Sequence, residues 1–216
     1  MSKRLSKLQE DALAALAELQ PPWTLTGGAA LAGFYLGHRT TRDLDLFWRG
    51  QTSITEVRGE VIALLLRSGL QVTELRTGLG FGSIRAQNSD ESVVIDLVAE
   101  PVASIEPPQV VQHRGHSIQI DSLHEILVNK LCALLHRSEV RDLVDIAALV
   151  EGGGDLNRAF LDAPRKDGGF SAVTLGWTLS NWNVASAAQS SGFGDRAAAL
   201  VTFRDWLLRQ AVGSKP

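Results

Sequence analysis

Asp43-Leu44-Asp45-Leu46-Phe47-Trp48 alternates acidic and apolar side chains before Arg49-Gly50 closes the run. A period of two is that of a half-buried strand, whose alternate residues face opposite sides. Asp43 and Asp45 therefore project from one face, while Leu44, Leu46 and Phe47 supply apolar anchorage. Two carboxylates side by side repel, and folding alone gives no reason to place them there. A bound divalent cation removes that cost, since Mg²⁺ accepts oxygen ligands from one or two carboxylates together with substrate phosphates.

Upstream, a strand at residues 23–26 runs through Thr26 into Gly27-Gly28 and then a helix at residues 29–36 that Gly37 ends. Exposed N–H groups at such a strand, glycine turn and helix unit can hold a phosphate, although Gly-Gly also marks ordinary tight turns. Before it, an amphipathic helix at residues 5–19 carries Leu5, Leu8, Leu13, Leu16 and Leu19 and stops at Pro21-Pro22. Downstream come a helix at 54–68, strands at 70–75, 81–86 and 93–98, and a hairpin of 110–113 with 116–120 about Arg114-Gly115. The strand at 93–98 places Asp96 among Val93, Val94, Ile95, Leu97 and Val98. A buried carboxylate there must pair or bind metal, so Asp96 is either a third metal ligand or the partner of Arg85 on the preceding strand.

From Ser122 the pattern turns helical, with Ser122 and Glu125 spaced as a capping box. One helix runs to about 137 and a second covers 139–150, ending at Gly152-Gly153-Gly154, the best candidate boundary. The expected division is a core of residues 1–151, including both helices, and a helical segment of residues 155–216. In the first helix Lys130 is a lone cation among Ile126, Leu127, Leu131, Leu134 and Leu135, so it must snorkel to solvent or meet an anion. Asp142 and Asp145, three apart, share one face of the second helix. The remainder reads as short helices near 156–161 and 172–182 and a closing helix near 196–210.

With 44 % hydrophobic and 21 % charged residues, the chain has the composition of a globular protein and wholesale disorder is excluded. A net charge of -3 gives no global attraction to a polyanion, so any nucleic acid must be held by local basic patches. No run of about 18 apolar residues occurs, and a cytoplasmic protein with no membrane partner is expected. Cys132 is the single cysteine and cannot form an internal disulfide. Five histidines lack metal-ligand spacing, so zinc is not expected.

A glycine turn opening a helix, an Asp-x-Asp strand and a later strand Asp resemble the polymerase β-type nucleotidyltransferases, in which two metals join three carboxylates to a nucleoside triphosphate. Thr26-Gly27-Gly28-Ala29-Ala30-Leu31 and His38-Arg39-Thr40-Thr41-Arg42-Asp43-Leu44-Asp45-Leu46-Phe47 look like the first motif of the AbiEii/AbiGii family of nucleotidyltransferase toxins. Lys130-Leu131-Cys132-Ala133 with Arg137, then Arg141-Asp142-Leu143-Val144-Asp145-Ile146, look like its downstream helical motifs. The resemblance spans roughly residues 24–150 and implies an α/β (α+β) fold, a mixed sheet flanked by helices with a helical C-terminal part.

It implies also that Asp43, Asp45 and Asp96 hold Mg²⁺ or Mn²⁺, and that Thr26, Gly27, Gly28, Arg39, Arg42 and Lys130 face the triphosphate of an NTP. Asp142 and Asp145 enter as a base or as orienting partners of Lys130. The implied acceptor is RNA such as the tRNA 3′ end, and the implied protein partner is an antitoxin. Two other readings fit the same residues: a small-molecule nucleotidyltransferase of the antibiotic-modifying kind, and a non-catalytic nucleotide-binding module.

Overall fold

A computed structural model describes residues 5–213. The chain forms two compact units, residues 1–122 and 123–216. The first contains α1 (Lys7–Leu16), β1 (Thr24–Thr26), α2 (Gly27–Ala30), β2 (Asp43–Arg49), α3 (Thr55–Arg67), β3 (Gln71–Thr77), β4 (Phe81–Gln87), β5 (Ser92–Glu100), β6 (Gln109–His113) and β7 (His116–Ile120). The strands make one seven-stranded mixed sheet in the order β3-β4-β5-β2-β1-β7-β6. β2 lies near its middle, parallel to β5 and antiparallel to β1.

Alternation sets which face is buried. Leu44, Leu46, Ile95 and Leu97 are each 0 % exposed, whereas Asp43, Asp45 and Asp96 on the opposite face are only half-buried. Burying each of those large apolar side chains is worth roughly 1.5–3 kcal/mol over leaving it exposed, so the apolar face dictates where the acids point. α1 brings Leu8, Leu13 and Leu16 to the core, and its N-terminus closes with a capping box in which Ser6 and Gln9 exchange side-chain and backbone hydrogen bonds.

The helix expected at residues 29–36 divides in two. After α2 the chain widens into a π-helical turn, Leu31–Tyr35, in which Leu36 N–H donates to the Leu31 carbonyl at 2.7 Å. The Tyr35 hydroxyl then reaches the Asp121 carbonyl at 2.8 Å. At the β6–β7 hairpin Arg114 and Gly115 both have positive φ, 49° and 86°, the twist that suits a tight two-residue turn. Arg114 also binds Glu10 and Asp11 of α1.

The second unit contains α4 (Leu123–Arg137), α5 (Val140–Glu151), α6 (Leu156–Lys166), α7 (Ala172–Ser180), α8 (Val184–Ser190) and α9 (Ala197–Gly213). The two units adjoin in sequence at Ser122/Leu123. Gly152 caps α5, Gly153 takes φ +93°, and Gly154 N–H returns to the Leu149 carbonyl at 2.9 Å. The run is thus a helix C-terminus on the surface of this unit. α6 continues past its expected end at 161 to Lys166, and α8, which the sequence reading lacked, starts with the Asn183 side chain accepting from Ser186 N–H. In α4, burial and the nearby Asp167 carboxylate push the Cys132 thiol up to about 12, so it is not a nucleophile at neutral pH. Among the described residues no helix is long and apolar enough to cross a membrane.

At the far end of β2 the Arg49 guanidinium binds Asp121, whose carboxylate is 0 % exposed, and lies over the Phe47 ring at 5.0 Å. This pair pins the strand that carries the acids. Arg49→Ala leaves a buried charge behind, and urea unfolding should show a loss of about 3–5 kcal/mol. A loss under about 1 kcal/mol, the scale of an exposed pair, would remove that anchoring role.

Candidate active site

Four neighbouring strands place one residue each in a single row on the acidic face. Thr26 of β1 stands opposite Asp45 of β2, Asp45 opposite Asp96 of β5, and Asp96 opposite Ser83 of β4. Adjacent strands lie about 4.8 Å apart, so the two carboxylates face each other across one strand spacing. Asp43 begins the next row, two residues along β2 and opposite Val94.

Ser83, which the sequence reading missed, is buried and donates from its hydroxyl to Asp96 Oδ1 at 2.6 Å. Arg85, the alternative partner considered for Asp96, sits opposite Val94, one row away. Strand parity across the β4–β5 hairpin was the signal for Ser83: residues 83 and 96 are symmetric about the Asn88–Glu91 turn.

At the other end of the row Thr26 is buried, and its Oγ1 has no hydrogen-bond partner among the described residues. Gly27 follows with φ +64°, and a Cβ there would lie 2.3 Å from Asp45 Oδ2. The left-handed backbone favours glycine, and the carboxylate lies against its side-chain-free face. A Cβ on Gly28 would lie 2.4 Å from Arg39 Nη2, so this guanidinium rests against the glycine turn, with Nη1 donating to the Thr40 carbonyl at 2.9 Å. An orphaned hydroxyl, a side-chain-free turn and an arginine suit a phosphate-bearing ligand beside the acids. Arg42 lies apart from this turn, exposed, in a cleft it lines with Asp43 and Arg85.

The donors fit a hard divalent cation in chemistry and register. Among the described residues no three His, Cys, Asp or Glu side chains are already closed around a common point. Backbone pairing, and not a preassembled cage, therefore defines this site.

The second unit holds its own charge cluster. Lys130 Nζ lies 2.8 Å from Asp142 Oδ1 and 2.8 Å from Asp145 Oδ2, and Arg137 grips Asp142 through Nε at 2.7 Å and Nη2 at 2.9 Å. Lys130 is 8 % exposed and both aspartates 0 %. Burial alone would lower the lysine's pKa, but the charges of Asp145 and Asp142 outweigh it and hold the ammonium above the ordinary lysine value. Burial would likewise raise Asp142, yet hydrogen bonds from Arg137 and the Lys130 charge hold it below the ordinary value.

Residues 11–181 match the family described as nucleotidyl transferase AbiEii toxin, type IV TA system. The chain belongs to the AbiEii nucleotidyltransferase toxin family. No curated protein matches it by sequence. Solved structures share the AbiEii member's fold. MenT4, a nucleotidyltransferase toxin of Mycobacterium tuberculosis, is 17 % identical with a TM-score of 0.59, over 96 % of this chain and 89 % of that one. A putative nucleotidyltransferase of Helicobacter pylori is 19 % identical with a TM-score of 0.56, over 97 % and 96 %. JHP933, also of Helicobacter pylori, is 17 % identical with a TM-score of 0.55, over 96 % and 91 %. The mixed α/β architecture of this AbiEii protein is therefore that of a nucleotidyltransferase.

Asp142 gives the cluster a pH signature. Its folded value lies below the ordinary 3.8, so as pH falls the unfolded chain takes up the proton first. The stabilisation is complete above about pH 4 and is lost as pH drops through the folded value. Asp142→Asn should melt lower than the parent near neutrality, and the gap should narrow between about pH 4 and pH 2. A gap in melting temperature that stays constant across that range would contradict the depressed value.

Proposed function

We propose that this chain transfers a nucleoside monophosphate from an NTP to an acceptor hydroxyl with Mg²⁺ or Mn²⁺ held by Asp43, Asp45 and Asp96. The observation that carries this reading is the row Thr26, Asp45, Asp96 and Ser83, with Gly27 against Asp45 at its edge. Repelling carboxylates, aligned beside a glycine turn, make chemical sense around a cation. When bound, the ions neutralise these acids and withdraw charge from the reacting phosphoryl group.

The residues of the chain divide the remaining work. Gly27 and Gly28 offer side-chain-free backbone to the phosphates, Thr26 Oγ1 supplies a hydroxyl, and Arg39 compensates triphosphate charge. Ser83 fixes Asp96 so that its carboxylate keeps one orientation. Within the second unit Lys130 and Arg137 of α4 hold Asp142 and Asp145 of α5, which ties the two helices together. The acceptor hydroxyl gives up its proton to water as its oxygen bonds to the α-phosphorus, the bridging P–O bond to the β-phosphate breaks, and pyrophosphate departs with that electron pair. The acceptor is RNA, such as a tRNA 3′ end, in the cytoplasm, and a separate antitoxin protein restrains the activity. Membership of a toxin family supports these last assignments.

Incubation with each labelled NTP, Mg²⁺ and total RNA should label RNA. Label in a small molecule would replace the acceptor, and no transfer with any nucleotide would overturn the reading. Asp43→Asn, Asp45→Asn and Asp96→Asn should each abolish transfer. Melting temperatures of the first two in EDTA should equal or exceed the parent's, because each relieves like-charge repulsion. Turnover retained in any of the three, or activity lost only in proportion to lost folding, would remove that carboxylate from the site.

A further inference from the structure

A polar cleft of about 610 Å³ opens on the acidic face at the start of β2 and β5, lined among others by Arg42, Asp43, Arg85 and Gln87. Its position follows from the strand register. The row after Asp45, Asp96 and Ser83 is Asp43, Val94 and Arg85, and the one beyond pairs Ser92 with Gln87. Each step is two residues, about 6.6 Å along the strand. The glycine turn lies on the β1 flank of β2 and the cleft on the β5 and β4 flank, with the carboxylates between them. Two substrates meeting at one phosphorus need such opposed approaches, and the glycine turn has claimed one.

We propose that this cleft is the acceptor subsite, and that Arg85 with Arg42 binds the phosphodiester backbone of the acceptor RNA strand. The inference rests on the nucleotidyltransferase reading above and adds where its acceptor lies. Both guanidiniums are exposed, and neither has a hydrogen-bond or ion-pair partner among the described residues. Arginine forks suit phosphate oxygens. Of the carboxylates in the lining, Asp43 belongs to the cation, and Glu91 accepts from Leu8 N–H at 3.2 Å. With Asp43 taken up by the cation, the lining carries two guanidiniums against the one carboxylate of Glu91, a net positive charge that favours an anionic acceptor over a polycationic one. No aromatic side chain lines the cleft, so bases find no stacking platform there and the contact is to sugar and phosphate. Arg42, which the sequence motif assigned to the triphosphate, thereby serves the other substrate.

The test measures binding without turnover, using an RNA oligonucleotide ending in a 3′-deoxy nucleotide, titrated in Mg²⁺ over a range of KCl concentrations. Arg85→Ala and Arg42→Ala should each weaken binding about tenfold and reduce the slope of log K against log salt by about 0.7, the increment for one phosphate of a single strand. Arg85→Lys should keep most of the slope, and a fluorescent NTP should bind Arg85→Ala as it binds the parent. RNA affinity and slope unchanged in Arg85→Ala would overturn the proposal, as would loss of NTP affinity in its place. The two readings fail separately: a parent enzyme that labels RNA while Arg85→Ala binds RNA normally sinks the subsite alone. A parent that labels only small molecules, or nothing, sinks the reading beneath it.

Discussion

Parallel pairing of β2 with β5 sets Asp45 directly opposite Asp96, and every functional assignment in the first unit depends on that register. The register is not chosen by the acids, which repel. It is held by the opposite face, where Leu44, Leu46, Ile95 and Leu97 are wholly buried. A slip of β2 by one residue would turn Leu44 and Leu46 to solvent and Asp43 and Asp45 into the core. The cost of that exchange is several times the repulsion between two partly solvated carboxylates, so core packing wins and the acids stay together.

Legibility in the sequence followed the range of the interaction. The parity of Asp43 and Asp45 is local and was plain, as was the carboxylate of Asp96 inside an apolar strand. Their mutual pairing was not, because β2 and β5 are separated by a helix and a hairpin, and no local rule fixes which parallel strands become neighbours. Ser83 stood out in no motif, and only hairpin symmetry could have brought it opposite Asp96. Gly27 was read as a turn residue; its closer constraint, the Asp45 oxygen against its missing Cβ, exists only in three dimensions. The cluster of three glycines has a local role no composition shows: Gly152 caps α5 and Gly154 N–H returns to the Leu149 carbonyl.

Lys130 shows the same limit from the other side. A lysine ringed by leucines had to meet solvent or an anion, and the sequence also placed Asp142 and Asp145 on one face of the next helix. What it could not show is that both carboxylates reach the same ammonium at 2.8 Å, with Arg137 sharing Asp142. Such a cluster is expensive to bury and costly to break.

The central claim is that the carboxylates on β2 and β5 are a cation and nucleotide site. The most direct measurement is anomalous diffraction from crystals soaked in Mn²⁺ with an NTP analogue that cannot be cleaved between the α- and β-phosphates. The account predicts manganese peaks about 2.0–2.3 Å from oxygens of Asp45 and Asp96, with the phosphates against Gly27 and Gly28. An ordered nucleotide elsewhere on the chain, with no manganese at these carboxylates, would contradict it.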